Sequence, residues 1–76
     1  MNRRVLTAKE LGDRLRNIRG IRTRTGVAKA IGISPSRLGN YELGYAIPPD
    51  EIKVLLANYY GMTVEDLFYA VGNQET

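Results

Sequence analysis

Apolar residues recur along this 76-residue chain at helical spacing, in short blocks broken by glycine and proline. Leu11, Leu15 and Ile18 fall at i, i+4 and i+7, which predicts one buried stripe on a helix from about Thr7 to Arg19. Thr7-Ala8-Lys9-Glu10 has the form of a capping box, with Leu6 and Leu11 placed as a hydrophobic staple, and Gly20 ends the run. Thr23 or Thr25 can cap a second helix whose apolar positions are Val27, Ala28 and Ile31. Gly26 weakens its propensity, and Gly32 suits a left-handed C-terminal residue. The third start is the clearest: Ser34 as N-cap, Pro35 at the first helical position, and Ile33 stapled against Leu38. Leu38 and Tyr41 face inward, and Gly44 closes this helix.

Pro48, Pro49, Asp50 and Glu51 open a fourth helix, with acidic residues where the helix dipole favours them. Ile52, Leu55, Leu56 and Tyr59 form its predicted buried face, and Gly61 stops it. Thr63-Val64-Glu65-Asp66 repeats the capping logic for a short fifth helix through Leu67 and Phe68, extending at most to Val71. No segment reads as a strand, a repeat or a low-complexity linker. The expected architecture is therefore all-α: one compact five-helix domain over residues 1–76, with its core at about 7–71 and residues 73–76 frayed.

Composition narrows the chemistry. Hydrophobic content of 43% and charged content of 25% are those of an ordinary globular domain. With no Cys and no His, the chain lacks thiol chemistry, disulfides, the usual zinc ligands and the commonest general base. No metal, cofactor or small-molecule ligand is expected. The carboxylates fall mainly at helix starts, where capping explains them, and no nucleophile–base constellation is visible, so an enzyme is not expected. No apolar run approaches the roughly 20 residues of a membrane span, and none of signal-peptide length follows Arg3 and Arg4. A cytoplasmic location is expected.

Charge adds a direction. Residues 1–40 hold ten basic residues against two acidic ones, whereas residues 41–76 hold only Lys53 against six acidic ones. A polyanion is the natural partner for the basic half, although a merely solvated face would carry the same charges.

The segment Val27-Ala28-Lys29-Ala30-Ile31-Gly32-Ile33-Ser34 joins two short helices through a tight glycine-containing turn, which is the form of a helix-turn-helix unit. Small Ala28 permits close approach, and Ile31, Ile33 and Leu38 can seal the angle. Taken with Gly12-Asp13-Arg14-Leu15-Arg16-Asn17-Ile18-Arg19 before it and Tyr41-Glu42-Leu43-Gly44 after it, the pattern resembles the phage-repressor-like, or Xre-type, helix-turn-helix family. Pro48 to Gly61 and Met62-Thr63-Val64-Glu65-Asp66-Leu67-Phe68 continue the resemblance, which spans about Glu10 to Phe68. The chain departs from the family in a first interhelical stretch about two residues shorter, in Arg24 where Gln is usual, and in Gly26 and Gly39 within helices.

The resemblance implies that the third helix lies in the major groove of double-stranded DNA, where each base pair presents a distinct pattern. With Leu38 and Tyr41 inward, Ser36, Asn40 and Leu43 point outward, flanked by Arg37 and Gly39. Ser36, Arg37 and Asn40 are the candidates for base contacts: Asn40 suits adenine, Ser36 several bases, and Arg37 either a guanine or a phosphate. Arg24 and Thr25 at the start of the second helix are phosphate candidates, as are Arg16 and Tyr45. By resemblance, Arg19 and Glu42 form an internal ion pair tying the first helix to the end of the third. Tyr59 and Tyr60 read as core or interface residues, not base-stacking groups.

The expected function is a bacterial or phage regulator of transcription, of which a restriction–modification controller or an autoregulating antitoxin is a variant. The alternative is a protein-interaction module that keeps the fold. One helix reads few base pairs, so a homodimer on a pseudo-palindromic operator is the expected working form. Phe68, Tyr69 and Val71 are the candidates for its interface, as an apolar cluster near the end of the chain.

Overall fold

The computed structural model describes residues 3–71. Five helices occupy the segments that the apolar pattern marks: α1 (Ala8–Arg19), α2 (Arg24–Ile31), α3 (Pro35–Glu42), α4 (Asp50–Tyr60) and α5 (Val64–Phe68). Four of them begin on a hydroxyl: Thr7, Thr23, Ser34 and Thr63 accept hydrogen bonds from the backbone N–H three residues on, at 2.9–3.1 Å. These side chains satisfy donors that a helix start leaves without partners. At Thr7 the box is complete, since the Thr7 amide also donates to the Glu10 carboxylate at 3.0 Å. Between Thr23 and Thr25, the cap is Thr23.

Leu6, Leu11, Leu15, Val27, Ala28, Ile31, Leu38, Tyr41, Ile52, Leu56, Ala57, Leu67 and Phe68 make one buried core, with Ile18, Ile33 and Tyr60 packed against it. Helices α1 and α3 meet closely at Gly12, where a Cβ would stand 2.5 Å from the Glu42 carbonyl oxygen and 2.9 Å from that of Tyr41. No side chain fits there without separating the two helices.

Three expectations are corrected. The first concerns strands: β1 (Arg3–Val5) and β2 (Tyr69–Val71) form an antiparallel ribbon in which Arg3 faces Val71, Arg4 faces Ala70 and Val5 faces Tyr69. Three-residue strands are too short to display alternation, and this pair forms because the fold brings distant segments together. Arg14 holds the junction, its Nη1 donating to the carbonyls of Asp66, Leu67 and Tyr69 at 2.9–3.3 Å where α5 gives way to β2. Such a cation suits the C-terminal end of a helix. The Leu6 amide continues the ribbon by donating to the Phe68 carbonyl at 3.2 Å.

The second correction is the inward face of α4. Ile52, Leu56 and Ala57 are buried there and Tyr60 partly so, whereas Leu55 and Tyr59 are 41% and 38% exposed. The small Ala57 lets the helix turn one residue further than the larger apolar residues alone suggest. The third is Phe68, whose ring lies in the core of its own chain and so is not free to form an interface. The expectation that residues 73–76 fray lies outside the described residues.

Candidate nucleic-acid interface

The turn between α2 and α3 rests on Gly32, which closes α2 in the left-handed region at φ 83°. Its amide donates to the carbonyl oxygens of Ala28 at 2.9 Å and Lys29 at 3.2 Å, and that of Ile33 to Ala28 at 3.0 Å. Only glycine adopts that conformation without strain. Ser34 then starts α3 at once, so the angle between the helices is set by three residues, with Val27, Ala28, Ile31 and Leu38 buried behind it.

Two faces of α3 result. Leu38, Gly39, Tyr41 and Glu42 are buried, while Ser36, Arg37, Asn40 and Leu43 are exposed. Among the described residues, the side chains of Ser36 and Asn40 make no hydrogen bond, so their donors and acceptors are available to a ligand. The Nε of Arg37 donates to the Tyr41 hydroxyl at 2.9 Å, one turn along the helix. This holds the guanidinium against the helix, and its terminal nitrogens make no hydrogen bond among the described residues.

Behind that face lies a buried charge. The Glu42 side chain has no exposed surface, and it receives three hydrogen bonds: from Arg19 Nε at 2.8 Å, Arg19 Nη2 at 3.0 Å and Arg24 Nε at 3.0 Å. Arg19 also donates to the Arg22 carbonyl at 2.8 Å, and its own pKa is raised chiefly by the hydrogen bonds to Glu42. The hydroxyl of Tyr60 is buried with no partner among the described residues, and burial, followed by the nearby Glu42 charge, raises its pKa. The guanidinium of Arg22 lies 5.9 Å from the ring centre of Tyr59 and 5.8 Å from that of Tyr60, covering the edge-to-face pair.

The phosphate candidates are divided among different settings. Thr25 and Tyr45 are exposed. Arg16 pairs with Asp13 on its own helix, and Lys9 reaches the same carboxylate at 3.4 Å. Arg24 sits at the start of α2 but is joined to Glu42 at the end of α3, a link across 18 residues that no local pattern announces. The sequence does carry one trace of it, in the arginine that replaces the usual glutamine. Exposed Lys29 and Arg37 lie on α2 and α3, and exposed Asp50, Glu51, Glu65 and Asp66 on the first turns of α4 and α5, so the charge division is preserved in the folded chain.

A surface groove of about 420 Å³ lies elsewhere, lined by Arg4, Glu10, Asp13 and Arg14 among others. Those four are engaged within the protein, in the Arg4–Glu10 pair, the Asp13 pairs and the Arg14 carbonyl contacts, and Asn17 is the one polar side chain of the lining that makes no hydrogen bond among the described residues. Among the described residues, no helix is long and apolar enough to cross a membrane.

A family model described as a helix-turn-helix domain matches residues 10–68. No curated protein matches the chain in sequence. Among solved structures, the BldD DNA-binding domain of S. venezulae is 30% identical with a TM-score of 0.69, the match covering 82% of this chain and 96% of that one. The restriction–modification controller protein C.AhdI of Aeromonas hydrophila is 25% identical with a TM-score of 0.72, over 80% of this chain and 91% of its own. The SOS-response transcriptional repressor LexA of Eubacterium rectale has a TM-score of 0.79 over 92% of this chain and 76% of its own; at 24% identity it speaks for the fold.

Proposed function

The chain belongs to the helix-turn-helix domain family, and from that premise we propose that it is a sequence-specific DNA-binding regulator of transcription that reads the major groove with α3. One observation carries the reading: α3 turns a polar edge, Ser36, Arg37 and Asn40, away from a core that fixes the helix from behind. A helix displayed in this way fits the groove, and amide and guanidinium groups at this spacing can pair with base edges. Arg24, Thr25, Arg16 and Tyr45 supply phosphate contacts, which position the protein without reading sequence. The description of the related BldD domain as DNA-binding supports the same conclusion. This activity belongs to the cytoplasm of a bacterial cell.

The working form in this proposal is a homodimer, because a single α3 reads too few base pairs for useful selectivity. Since Phe68 is buried in its own core, the interface draws on Tyr69 and Val71 of the ribbon and on the exposed apolar residues of α4, Val54, Leu55 and Tyr59. Sedimentation tests this assignment: Leu55→Asp together with Tyr69→Asp yields monomers of unchanged helicity, and an intact dimer would refute the interface.

Selection of binding sites from random duplex DNA tests the function itself. The expected product is a two-fold-related pair of half-sites about 34 Å apart, bound more weakly as salt rises. A chain that enriches no sequence, or whose binding ignores salt, would not have this function.

A further inference from the structure

Building on the reading that α3 enters DNA, we propose that Arg24, Gly39 and Glu42 act as one recognition unit, in which Glu42 and the missing side chain of Gly39 seat Arg24 against α3 as a fixed two-pronged donor. Arg24 starts α2, yet its guanidinium lies along α3. A Cβ built on Gly39 would stand 3.3 Å from Arg24 Nη1, 3.6 Å from Cδ and 3.7 Å from Cζ, and these three are its nearest neighbours. The Arg24 side chain therefore occupies the space that a larger residue at position 39 would fill. Glycine is unfavourable inside a helix, so its presence at the centre of α3 calls for a reason, and the seat for Arg24 supplies one.

Glu42 provides the second constraint. Its Oε1 accepts from Arg24 Nε at 3.0 Å, while the carboxylate as a whole is anchored by Arg19 and fully buried. With Nε taken, the two terminal nitrogens of Arg24 make no hydrogen bond among the described residues, and the side chain is 37% exposed. Two parallel N–H groups on one rigid edge match two acceptors side by side, either two oxygens of a phosphate or the O6 and N7 of a guanine. Holding the fork in place before binding removes the ordering cost that a free arginine would incur. In this unit Arg24 is the contact residue, and Gly39 and Glu42 are positioning residues.

A double-mutant cycle on the full chain separates this role from simple loss of fold. Affinity is measured on the selected duplex and on a scrambled duplex of equal length. Gly39→Leu is expected to weaken binding about tenfold, with a melting temperature no lower than the parent's, since leucine favours the helix and its nearest neighbours are the flexible end of Arg24. In an Arg24→Ala background the same substitution should cost at least fivefold less. If leucine lowers the melting temperature, Gly39→Gln is judged by the same criterion. A penalty confined to the selected duplex assigns the fork to a guanine, and an equal penalty on both assigns it to a phosphate. A Gly39 penalty that is absent, or that falls less than fivefold without Arg24, overturns the inference while leaving the DNA reading intact. A parent that enriches no duplex overturns both.

Discussion

Arg19 grips Glu42 through two hydrogen bonds of 2.8 and 3.0 Å, and Arg4 grips Glu10 through two of 2.8 and 2.9 Å. Both are two-pronged guanidinium–carboxylate pairs, through Nε and Nη2 in Arg19 and through the two terminal nitrogens in Arg4, but the surroundings differ. Glu42 is sealed from water and shared with a second arginine, whereas Arg4 and Glu10 are 51% and 42% exposed. In the exposed pair, water competes for both partners and salt screens them, so the attraction does little for stability. In the buried cluster, removing a partner leaves a charge that water cannot reach. Similar pairs thus perform two tasks: Arg4–Glu10 trims the start of α1, and Arg19–Glu42–Arg24 locks α1, α2 and α3 into the arrangement that displays the exposed face of α3.

Disrupting the buried cluster should destabilise the protein most. Arg19→Ala, which leaves the fully buried Glu42 carboxylate with Arg24 alone, should cost about 3–5 kcal/mol, a large share of the stability of so small a domain. Chemical denaturation would measure it, and an unchanged midpoint would mean that the cluster is ornamental. Next comes the packing that shelters it. Gly12→Ala places a Cβ against the backbone carbonyls of Tyr41 and Glu42, and should cost about 1–3 kcal/mol by forcing α1 from α3. A tolerated alanine would show that this approach is looser than the structure describes.

A smaller effect of opposite sign follows from Tyr60, whose buried hydroxyl lacks a partner among the described residues. Tyr60→Phe should stabilise the protein by about 1 kcal/mol, because it removes a polar group that folding strips of water. A destabilised variant would mean that the hydroxyl is satisfied in solution.

The exposed pair supplies the smallest effect, visible mainly through pH. Arg4, and then the Thr7 amide, hold the Glu10 carboxyl down at about 2 from an ordinary 4.5. Its folded pKa lies below its unfolded one, so its contribution is present above about 4.5 and is lost as pH falls towards 2. Glu10→Gln should therefore be slightly less stable than the parent near neutrality, and the two denaturation midpoints should converge across that window. A gap that persists at the acid end would assign the difference to the altered side chain rather than its charge.

The two pairs also mark what could be read from the sequence. Thr7, Glu10, Ser34 and Pro35 act within one turn of chain, and their spacing alone announced the helix starts. The outward face of α3 was legible for the same reason, because Leu38 and Tyr41 fix the helical phase and Asn40 then has one side to occupy. The ribbon was not legible: Arg3–Val5 and Tyr69–Val71 pair across almost the whole chain and carry no alternation. Nor was the Arg24–Glu42 bond, which depends on how α2 and α3 cross. In α4, hydrophobicity alone favours Leu55 and Tyr59 for the inward face, but the small Ala57 takes the buried position.

The proposed reading of bases by the exposed edge of α3 turns on Asn40. Affinities of the parent and Asn40→Ala should be compared on the selected duplex and on duplexes changed one base pair at a time. Asn40→Ala is expected to weaken the selected site by about 1–3 kcal/mol and to abolish base preference at one position of each half-site, with scrambled DNA bound as before. An equal loss on every sequence, or a base preference unchanged at all positions, would contradict it.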